Sequence, residues 1–461
     1  MILMAQGLTR FVTSGFLFFL MSGTALCVEP TADVRGTDHS ENYLTWLMVN
    51  RSQETGLPFS HVGDERFQHW TITYDAAVVA LAYSASGKYA EAGKILDYYI
   101  ETPEVWRLGG IIECYIAGKP FSGKDWSVRS GANIWMGIAG FDLYLKTGDK
   151  KYLEFAEKIA DFALSLQDTD KQSGNFGGVA LGPKGDAAYP ADQYIGYDIE
   201  KPEFYQVYAT EVTIDAYALF HKLFQSAGKE KYQLAAADCL HWLKSGAWNK
   251  SEHRFNRGHQ DETVATDVQS WGVSALGVEG LDYIEPGVAE KVIEFVEKNC
   301  FSESSFTVPG KGSAIIRGVD FTDKKRMAEL KRPQMISFEW TFQLINAYSR
   351  LASDYRRLGE AKKAEIYQQK KEKLLGQLLA GAISDSGGLA FPYATLSDAE
   401  IGHENRTPAA GNLSAIGGAW AVLAIKGCDP LAAYSSIDSA GVKSGCSLRI
   451  PATLTTHSGK V

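Results

Sequence analysis

The sequence predicts an all-α protein in which helical hairpins close into a ring. A unit recurs about six times: an apolar helix, a short link, a second and more polar helix, then a long loop. Two copies, residues 131–167 and 210–243, align through the links TGDKKY and AGKEKY. One hairpin cannot bury its own apolar face, so neighbouring hairpins must stack or close on each other.

The first helix of each unit is apolar and rich in small residues on most faces, whereas the second is amphipathic and rich in Lys and Glu. This difference predicts an inner ring of buried helices inside an outer ring with one wet face. The inner helices are expected to begin near Tyr74, Gly131, Thr210, Thr266, Ile336 and Ala415. The sixth has no clear partner after Gly427, so a helix over residues 41–50 is expected to supply it. The predicted architecture is an (α/α)6 toroid, with six hairpins, or an incomplete version of it.

Loop lengths predict where a cleft lies. The links from first to second helix are short, whereas the returning loops are long and cover residues 102–130, 169–209, 249–265, 301–335 and 381–414. All of these loops would lie on one rim, where the inner helices start. Helix N-termini there carry unpaired N–H groups and a positive dipole end. The Gly-rich segments at 173–182 and 386–393 are expected to form tight turns or short hairpins.

The two ends of the chain predict export and a poorly ordered tail. Residues 1–27 have the order of a signal peptide: Arg10, an apolar run from Phe11 to Met21, and small residues. That run is too short to span a bilayer comfortably, so we expect a periplasmic or secreted protein with no stable membrane span after cleavage. Lipoprotein anchoring through Cys27 is the minor alternative, which Leu26 disfavours. The toroid domain is predicted over 40–428, with a loosely held tail over 429–461.

Composition excludes several function classes. The formal charge is −9, and the chain has no Lys/Arg-rich run of the kind that a nucleic-acid-binding groove needs. The cysteines show no CxxC spacing, so neither a zinc site nor a disulfide scaffold is indicated, although a single bridge stays open. No Walker-type, GxSxG or dinucleotide motif is present in a suitable context. We therefore expect no metal, no cofactor and a monomer that binds an oligo- or polysaccharide.

Carboxylates and aromatic residues recur at the starts of the predicted inner helices. Capping explains any one of these acids, because Asp and Glu in a first turn complement the helix dipole and a preceding Thr or Ser is an N-cap. Four acids with aromatic residues on one rim exceed what capping requires. Converging carboxylates beside aromatic platforms are what cleavage of a glycosidic bond uses.

The sequence therefore predicts a glycoside hydrolase whose catalytic pair is Glu211 and Asp267, with Asp75 and Glu339 as substitutes or positioning groups. The spacing of the two carboxylates, which decides between retention and inversion, is not readable from sequence. The loop acids Asp125, Asp261 and Glu262 are further candidates. The predicted substrate-binding residues are Tyr74, Arg129, Asn133, Trp135, Asp215, His259, Gln269, Trp271 and Trp340.

Two alternatives stay open. Tyr74, His259 and Arg129 would supply the acid, base and charge-stabilising roles of a polysaccharide lyase or sugar epimerase if they met. The other alternative is a toroid without catalysis that binds a glycan or a partner protein during envelope polysaccharide assembly.

The repeat, the outer-helix entry TGDKKYLEFAEKIADF and the segments ATEVTIDAYALF and ATDVQSWGVSAL together resemble the six-hairpin glycosidase-like superfamily. This group of (α/α)6 toroids includes glucoamylases, unsaturated glucuronyl hydrolases and related lyases and epimerases. The resemblance covers most of residues 40–427 and matches the catalytic signature of no characterised family. It implies acid catalysis on carbohydrate in a cleft at the inner-helix N-termini.

Overall fold

The structure is a computed structural model that describes residues 39–185, 204–403 and 405–432. The predicted signal peptide and residues 433–461 of the predicted tail lie outside the described residues. Ordered packing continues to the end of the last described range, where Leu431 is buried. No helix in the described ranges is long and apolar enough to cross a membrane.

Helices dominate the described part of the chain. In chain order they are α1 (Ser40–Val49), α2 (Thr73–Ala85), α3 (Tyr89–Glu101), α4 (Ser130–Thr147), α5 (Lys150–Ser165), α6 (Thr210–Ala227), α7 (Glu230–Trp242), α8 (Thr266–Ile284), α9 (Ala289–Asn299), α10 (Lys324–Glu329), α11 (Phe338–Arg357), α12 (Ala361–Leu379) and α13 (Ala415–Lys426).

Six of these helices form a closed inner ring in which α2, α4, α6, α8, α11 and α13 each contact the next and α13 returns to α2. Each inner helix also packs against an outer partner. The partners α3, α5, α7, α9 and α12 follow their inner helices in the chain, whereas α1 packs on α13. The N-terminal helix thus completes the sixth hairpin, and the predicted (α/α)6 toroid is confirmed.

Burial follows the predicted division between the two rings. The inner helix α13 buries nearly all of its residues, because it has apolar or small side chains on every face. The outer helix α9 buries only one stripe, whose members are Ala289, Val292, Ile293 and Val296. That spacing is the i, i+3, i+4, i+7 pattern of an amphipathic helix against a core.

The two aligned links share one backbone conformation. Gly148 after α4 and Gly228 after α6 both adopt left-handed angles, with φ of 73° and 64°. Glycine takes this conformation without steric cost, so it ends the inner helix and turns the chain into the outer one. The sequence similarity of TGDKKY and AGKEKY therefore reflects a common turn.

Short strands occupy the long returning loops. They are β1 (His61–Val62), β2 (Trp70–Ile72), β3 (Trp106–Arg107), β4 (Gly110–Ile111), β5 (Cys114–Ile116), β6 (Gly123–Asp125), β7 (Trp248–Asn249), β8 (Arg254–Phe255), β9 (Phe301–Val308), β10 (Gly312–Val319), β11 (Ile383–Asp385), β12 (Gly388–Ala390) and β13 (Leu413–Ser414). Strand β1 pairs with β13 near the other end of the domain, and β11 and β12 form the hairpin expected around 386–393. The eight-residue strands β9 and β10 were not predicted.

The start of each inner helix is tied to the loop that precedes the next inner helix. Thr73 Oγ1 donates to Ile112 O at 2.7 Å, and Thr210 Oγ1 donates to Asn256 O at 2.7 Å. The prediction that these threonines cap their own helices is therefore wrong, because their hydroxyls bond to a neighbouring loop. Ser337 alone of the described inner-helix starts follows the predicted rule, since its Oγ accepts from Trp340 N at 3.2 Å.

Candidate functional site

The second and sixth residues of the inner helices converge on the ring axis. Residues four apart lie about 40° apart around a helix, so they share one face. The second residues are Tyr74, Gly131, Glu211, Asp267, Glu339 and Ile416, and the sixth are Val78, Trp135, Asp215, Trp271, Gln343 and Trp420. One face of each helix therefore presents acids and aromatic rings to the centre of the rim.

Aromatic side chains close the axis below the rim. The ring of Trp135 lies 5.5 Å from Tyr74, 5.2 Å from Trp271 and 5.6 Å from Trp420, measured between ring centroids. Tyr74 also lies 6.3 Å from Trp271, although the two residues begin opposite helices of the ring. These four rings form the floor of the candidate site.

A hydrogen-bond network joins this floor to Glu339. Tyr74 Oη donates to Glu339 Oε1 at 2.8 Å and accepts from Trp420 Nε1 at 3.2 Å. Gln343 Nε2 donates to the same Glu339 oxygen at 3.0 Å. Burial raises the pKa of Glu339 to about 8, against these hydrogen bonds and with help from the charge of Asp75. Burial likewise raises the pKa of Asp75 to about 7.

Three further carboxylates lie between α6 and α8. Asp267 and Asp215 are almost fully buried, whereas Glu211 is partly exposed. Burial raises the pKa of Asp267 well above its usual value, and the charge of Glu211 raises it further. Asp267 Oδ1 accepts a hydrogen bond from Val268 N at 2.8 Å, which counteracts part of this rise. Burial and the charge of Glu211 also hold the pKa of Asp215 high.

Two arginines distinguish Glu211 from its neighbours. Burial raises the pKa of Glu211, but the positive charges of Arg257 and Arg129 both lower it. Arg257 Nη1 also lies 3.3 Å from Asp261 Oδ2. Glu211 therefore keeps a negative charge more readily than Asp267 does, because its strongest electrostatic neighbours are arginines, whereas that of Asp267 is a carboxylate.

The wall of the cleft contains residues that the sequence did not single out. Tyr393 stacks on Phe321 with 5.4 Å between ring centroids. Burial raises the pKa of Tyr393 well above its usual value, and the charges of Glu339, Asp75 and Asp267 raise it further. The imidazole of His403 lies parallel to Trp340 at 5.5 Å. Both residues come from the loop after α12, which has no periodicity to predict their direction.

Two other missed residues had a readable signal. Gln343 and Trp420 are the sixth residues of α11 and α13, four positions after residues that face the axis. The i, i+4 rule applied to all six helices would have found them. The predicted residues Trp135, Asp215 and Trp271 occupy the same sixth position.

Asn133 and Gln269 do not face the axis. They are the fourth residues of α4 and α8, about 200° around the helix from the second residues. Asn133 Oδ1 accepts from Ile111 N at 2.6 Å and its Nδ2 donates to Ile111 O at 2.9 Å. Gln269 makes the same pair of bonds with Phe255 N and O, both at 2.8 Å. Each amide clamps a loop strand, so we assign both residues to positioning of the rim and not to substrate binding.

Replacement of Gln269 by alanine is expected to lower the free energy of unfolding by about 1–3 kcal/mol, because the buried N–H of Phe255 would lose the side chain that accepts from it, while the C=O of Phe255 would keep its bond from Arg254. Urea unfolding of the variant beside the wild type measures this loss. The matched control is Gln369→Ala, which removes an exposed amide bonded only to Glu365 in the same helix. Equal loss in both variants would contradict the clamp.

The groups of the predicted lyase or epimerase set have different neighbours in the described structure. Tyr74 is in the floor, beside Glu339 and Trp420. The Arg129 guanidinium lies 5.2 Å from the centroid of Phe204. His259 lies on the loop before α8, where its N–H donates to Tyr208 O at 3.0 Å.

The remaining loop acids have local partners. Asp125 Oδ1 accepts from Ser127 N at 3.0 Å, and Asp261 accepts from Thr263 N at 3.0 Å in addition to its contact with Arg257. Glu262 is exposed. In the described ranges, no group of three or more His, Cys, Asp or Glu side chains is arranged to hold a metal ion.

Comparison with known proteins rests on structure. No family model matches the chain, and no curated protein matches its sequence. A sugar epimerase from a ruminal bacterium superimposes with a TM-score of 0.55 at 11% identity, over 85% of this chain and 98% of that one. A family 76 glycoside hydrolase from a bovine Bacteroides thetaiotaomicron strain gives 0.52 at 14% identity, over 85% and 77% of the two chains.

A third solved structure contains a ligand. It is an inactive variant of an α-1,6-mannanase from a Salegentibacter species in complex with α-1,6-mannotriose. It superimposes with a TM-score of 0.51 at 13% identity, over 86% of this chain and 99% of that one. At such low identities the likeness concerns the fold. The chain thus shares its (α/α)6 toroid fold with these carbohydrate-active proteins.

Proposed function

We propose that the protein is a glycoside hydrolase in which Asp267 protonates the leaving oxygen and Glu211 acts as the ionised partner. One observation carries this proposal: the two acids are the second residues of the neighbouring helices α6 and α8, and burial raises the pKa of both, but two arginines oppose the rise at Glu211 whereas the charge of Glu211 adds to it at Asp267. Pairs of carboxylates held in different protonation states are the working parts of glycosidases.

The division of roles follows from the electrostatics. Burial and the charge of Glu211 raise the pKa of Asp267 well above its usual value, so Asp267 is the acid that we assign to donate a proton as the glycosidic C–O bond breaks. Burial also raises the pKa of Glu211, but Arg257 and Arg129 oppose this rise and favour its charged form. It can then take a proton from the attacking water or bond directly to the anomeric carbon. Water supplies the hydroxyl of one product in either case, and the leaving oxygen becomes the hydroxyl of the other.

The structural neighbours support a carbohydrate substrate and include hydrolases. In the inactive mannanase variant, two consecutive aspartates are replaced. This chain has no Asp-Asp pair in its 461 residues. We therefore propose one acid from each of two neighbouring helices, Glu211 and Asp267, as the catalytic pair. A broad panel of glycans would identify the linkage that they cleave.

The test is turnover of such a panel, which includes α-1,6-linked mannooligosaccharides, with new reducing ends measured by colorimetry and unsaturated sugars by ultraviolet absorbance. New reducing ends without an absorbing product support hydrolysis. An absorbing product would identify a lyase. Glycan binding with no chemical change would support the non-catalytic toroid.

Sugar epimerisation is the second candidate, and His403 favours it. Burial lowers the pKa of this imidazole to about 4, so it is neutral and able to accept a proton while it lies flat on Trp340. The neighbours include a sugar epimerase. Chromatography of a reducing disaccharide before and after incubation separates the candidates, since an epimerase changes a sugar without adding reducing ends. Under this candidate His403→Gln abolishes the change.

A further inference from the structure

A series of aromatic rings leads from the cleft wall to the outer surface of the rim. It begins at Tyr393 and continues through His61 and Phe67 to Trp70. The centroid distances are 6.1 Å from Tyr393 to His61, 5.0 Å from His61 to Phe67 and 5.4 Å from Phe67 to Trp70. Tyr393, Phe67 and Trp70 are partly exposed, whereas His61 is buried between them.

The inner end of the series belongs to the candidate site. Tyr393 stacks on Phe321, and Phe321 contacts Trp340 edge-on with 4.8 Å between centroids. Trp340 directly follows Glu339 in α11. The exposed rings at the outer end are therefore continuous with the wall that faces the proposed catalytic acids.

The outer end is held in place by the two chain segments that flank it. His61 Nδ1 lies 3.2 Å from Asn412 Oδ1, and β1 pairs with β13. Asp64 accepts from Arg66 at 2.7 Å and from Ala409 N at 2.9 Å. These bonds fix the backbone around Phe67, so the rings are arranged before any ligand arrives.

Charged donors lie over the two partly exposed rings. The Arg66 guanidinium lies 5.6 Å from the centroid of Phe67, and the Lys124 ammonium lies 6.0 Å from that of Trp70. An aromatic face flanked by long hydrogen-bond donors suits a sugar ring, which presents C–H groups on one side and hydroxyls around its edge.

We propose that Phe67 and Trp70 form an outer platform that binds sugar residues of the substrate beyond those in the cleft. The substrate class is then a chain of several sugars, and a mono- or disaccharide would not reach the platform. This inference rests on the proposed action of the cleft on carbohydrate. It assigns a separate binding contribution to residues that are not part of the catalytic site.

The experiment compares wild type, Trp70→Ala, Phe67→Ala and the control Tyr89→Ala on an array of neutral mannan, glucan and galactan fragments from disaccharides to octasaccharides. Tyr89 is an exposed aromatic residue at the start of an outer helix, at the opposite end of the hairpins. We expect each platform variant to weaken binding of the longest bound chains by about 3–10-fold, to leave the shortest bound chains unchanged, and the control to match wild type.

Kinetics on the bound chains separates the platform from the chemistry. An increase of KM for long chains with kcat unchanged supports the platform. Equal binding of long chains by wild type and platform variants overturns it, even if those chains are cleaved, and so does a wild type that binds no fragment of the array. Length-dependent binding without turnover supports the platform and counts against the proposed hydrolysis alone. Urea unfolding of each variant checks that a loss of binding does not reflect a loss of folded protein.

Discussion

Asp267→Asn is expected to lower kcat on a cleaved glycan by about 10²–10⁴-fold, and Glu211→Gln by a similar factor, with KM changed little. In Asp267→Asn, the amide would have no acidic proton to deliver to the leaving oxygen. The amide in Glu211→Gln would be a poor base and a poor nucleophile. Both substitutions keep the size of the side chain. Initial rates at saturating substrate, with binding measured separately by calorimetry, give the two quantities.

The control for this pair is Glu230→Gln. Glu230 occupies the first turn of the outer helix α7, as Glu211 does in α6, but it is exposed and begins its helix at the opposite end of the hairpin. The Glu230→Gln variant tests whether loss of a negative charge near any helix N-terminus is enough to lower kcat. A control as inactive as the cleft variants, or cleft variants with wild-type kcat, would contradict the assigned roles.

An activity lost in Glu339→Gln or Asp75→Asn but kept in the Glu211 and Asp267 variants would transfer the catalytic roles to the other side of the cleft. Tyr74 donates to Glu339, and both acids lie near Tyr393. These two variants therefore belong in the same kinetic series.

The free energy of unfolding is expected to fall as the pH rises from about 5 to 9, and Glu339→Gln should remove a large part of that fall. The pKa of Glu339 is about 8 in the folded protein, against about 4.3 for an unperturbed Glu in the unfolded chain. Between these values the folded state holds a proton that the unfolded state has lost. Stability then decreases with pH, because the unfolded state binds fewer protons.

This change of stability with pH has the opposite sign to the one that a carboxylate in a salt bridge produces. Below about pH 4 the glutamate is protonated in both states, so it costs nothing; above about pH 8 the folded protein must bury its charge. A neutral glutamine avoids that cost and can still accept from Tyr74 and Gln343 through its carbonyl oxygen. The expected gain at pH 9 is at most about 5 kcal/mol.

Thermal and urea unfolding of wild type and Glu339→Gln across this pH range measure the difference. Asp75→Asn should act in the same direction with a midpoint nearer pH 7, since the folded pKa of Asp75 is about 7. Glu101→Gln, at the exposed end of an outer helix, should follow the wild-type curve. Parallel pH curves for wild type and Glu339→Gln would contradict the buried neutral glutamic acid.

Much of the fold could be predicted because it is encoded locally. Apolar periodicity and the glycine turns placed the starts of the inner helices within two residues, as at Thr73, Ser130 and Phe338. The missing partner of α13 was also predictable, since a closed ring requires a twelfth helix and only the N-terminal segment was left. The hairpin of β9 and β10 was missed, because its pairing depends on contacts within a loop that has no clear period.

The candidate site was predictable in part. The acids and aromatic rings at second positions were readable once the helix starts were known. Asn133 and Gln269 were misassigned because closeness to a helix start was used without the direction of the side chain. Tyr393 and His403 were not accessible to this reasoning, since an irregular loop brings them beside Trp340 across more than fifty residues of chain.

The sequence by itself determined the helical hairpins, their number and the rim on which acids and aromatic rings gather, because helix periodicity and turn chemistry act between residues a few positions apart. Only the tertiary structure decided which acids interact electrostatically, which aromatic rings close the ring axis and which loop residues complete the wall of the cleft. Burial and charge set these properties, and both depend on groups that are distant in the chain and adjacent in the folded ring.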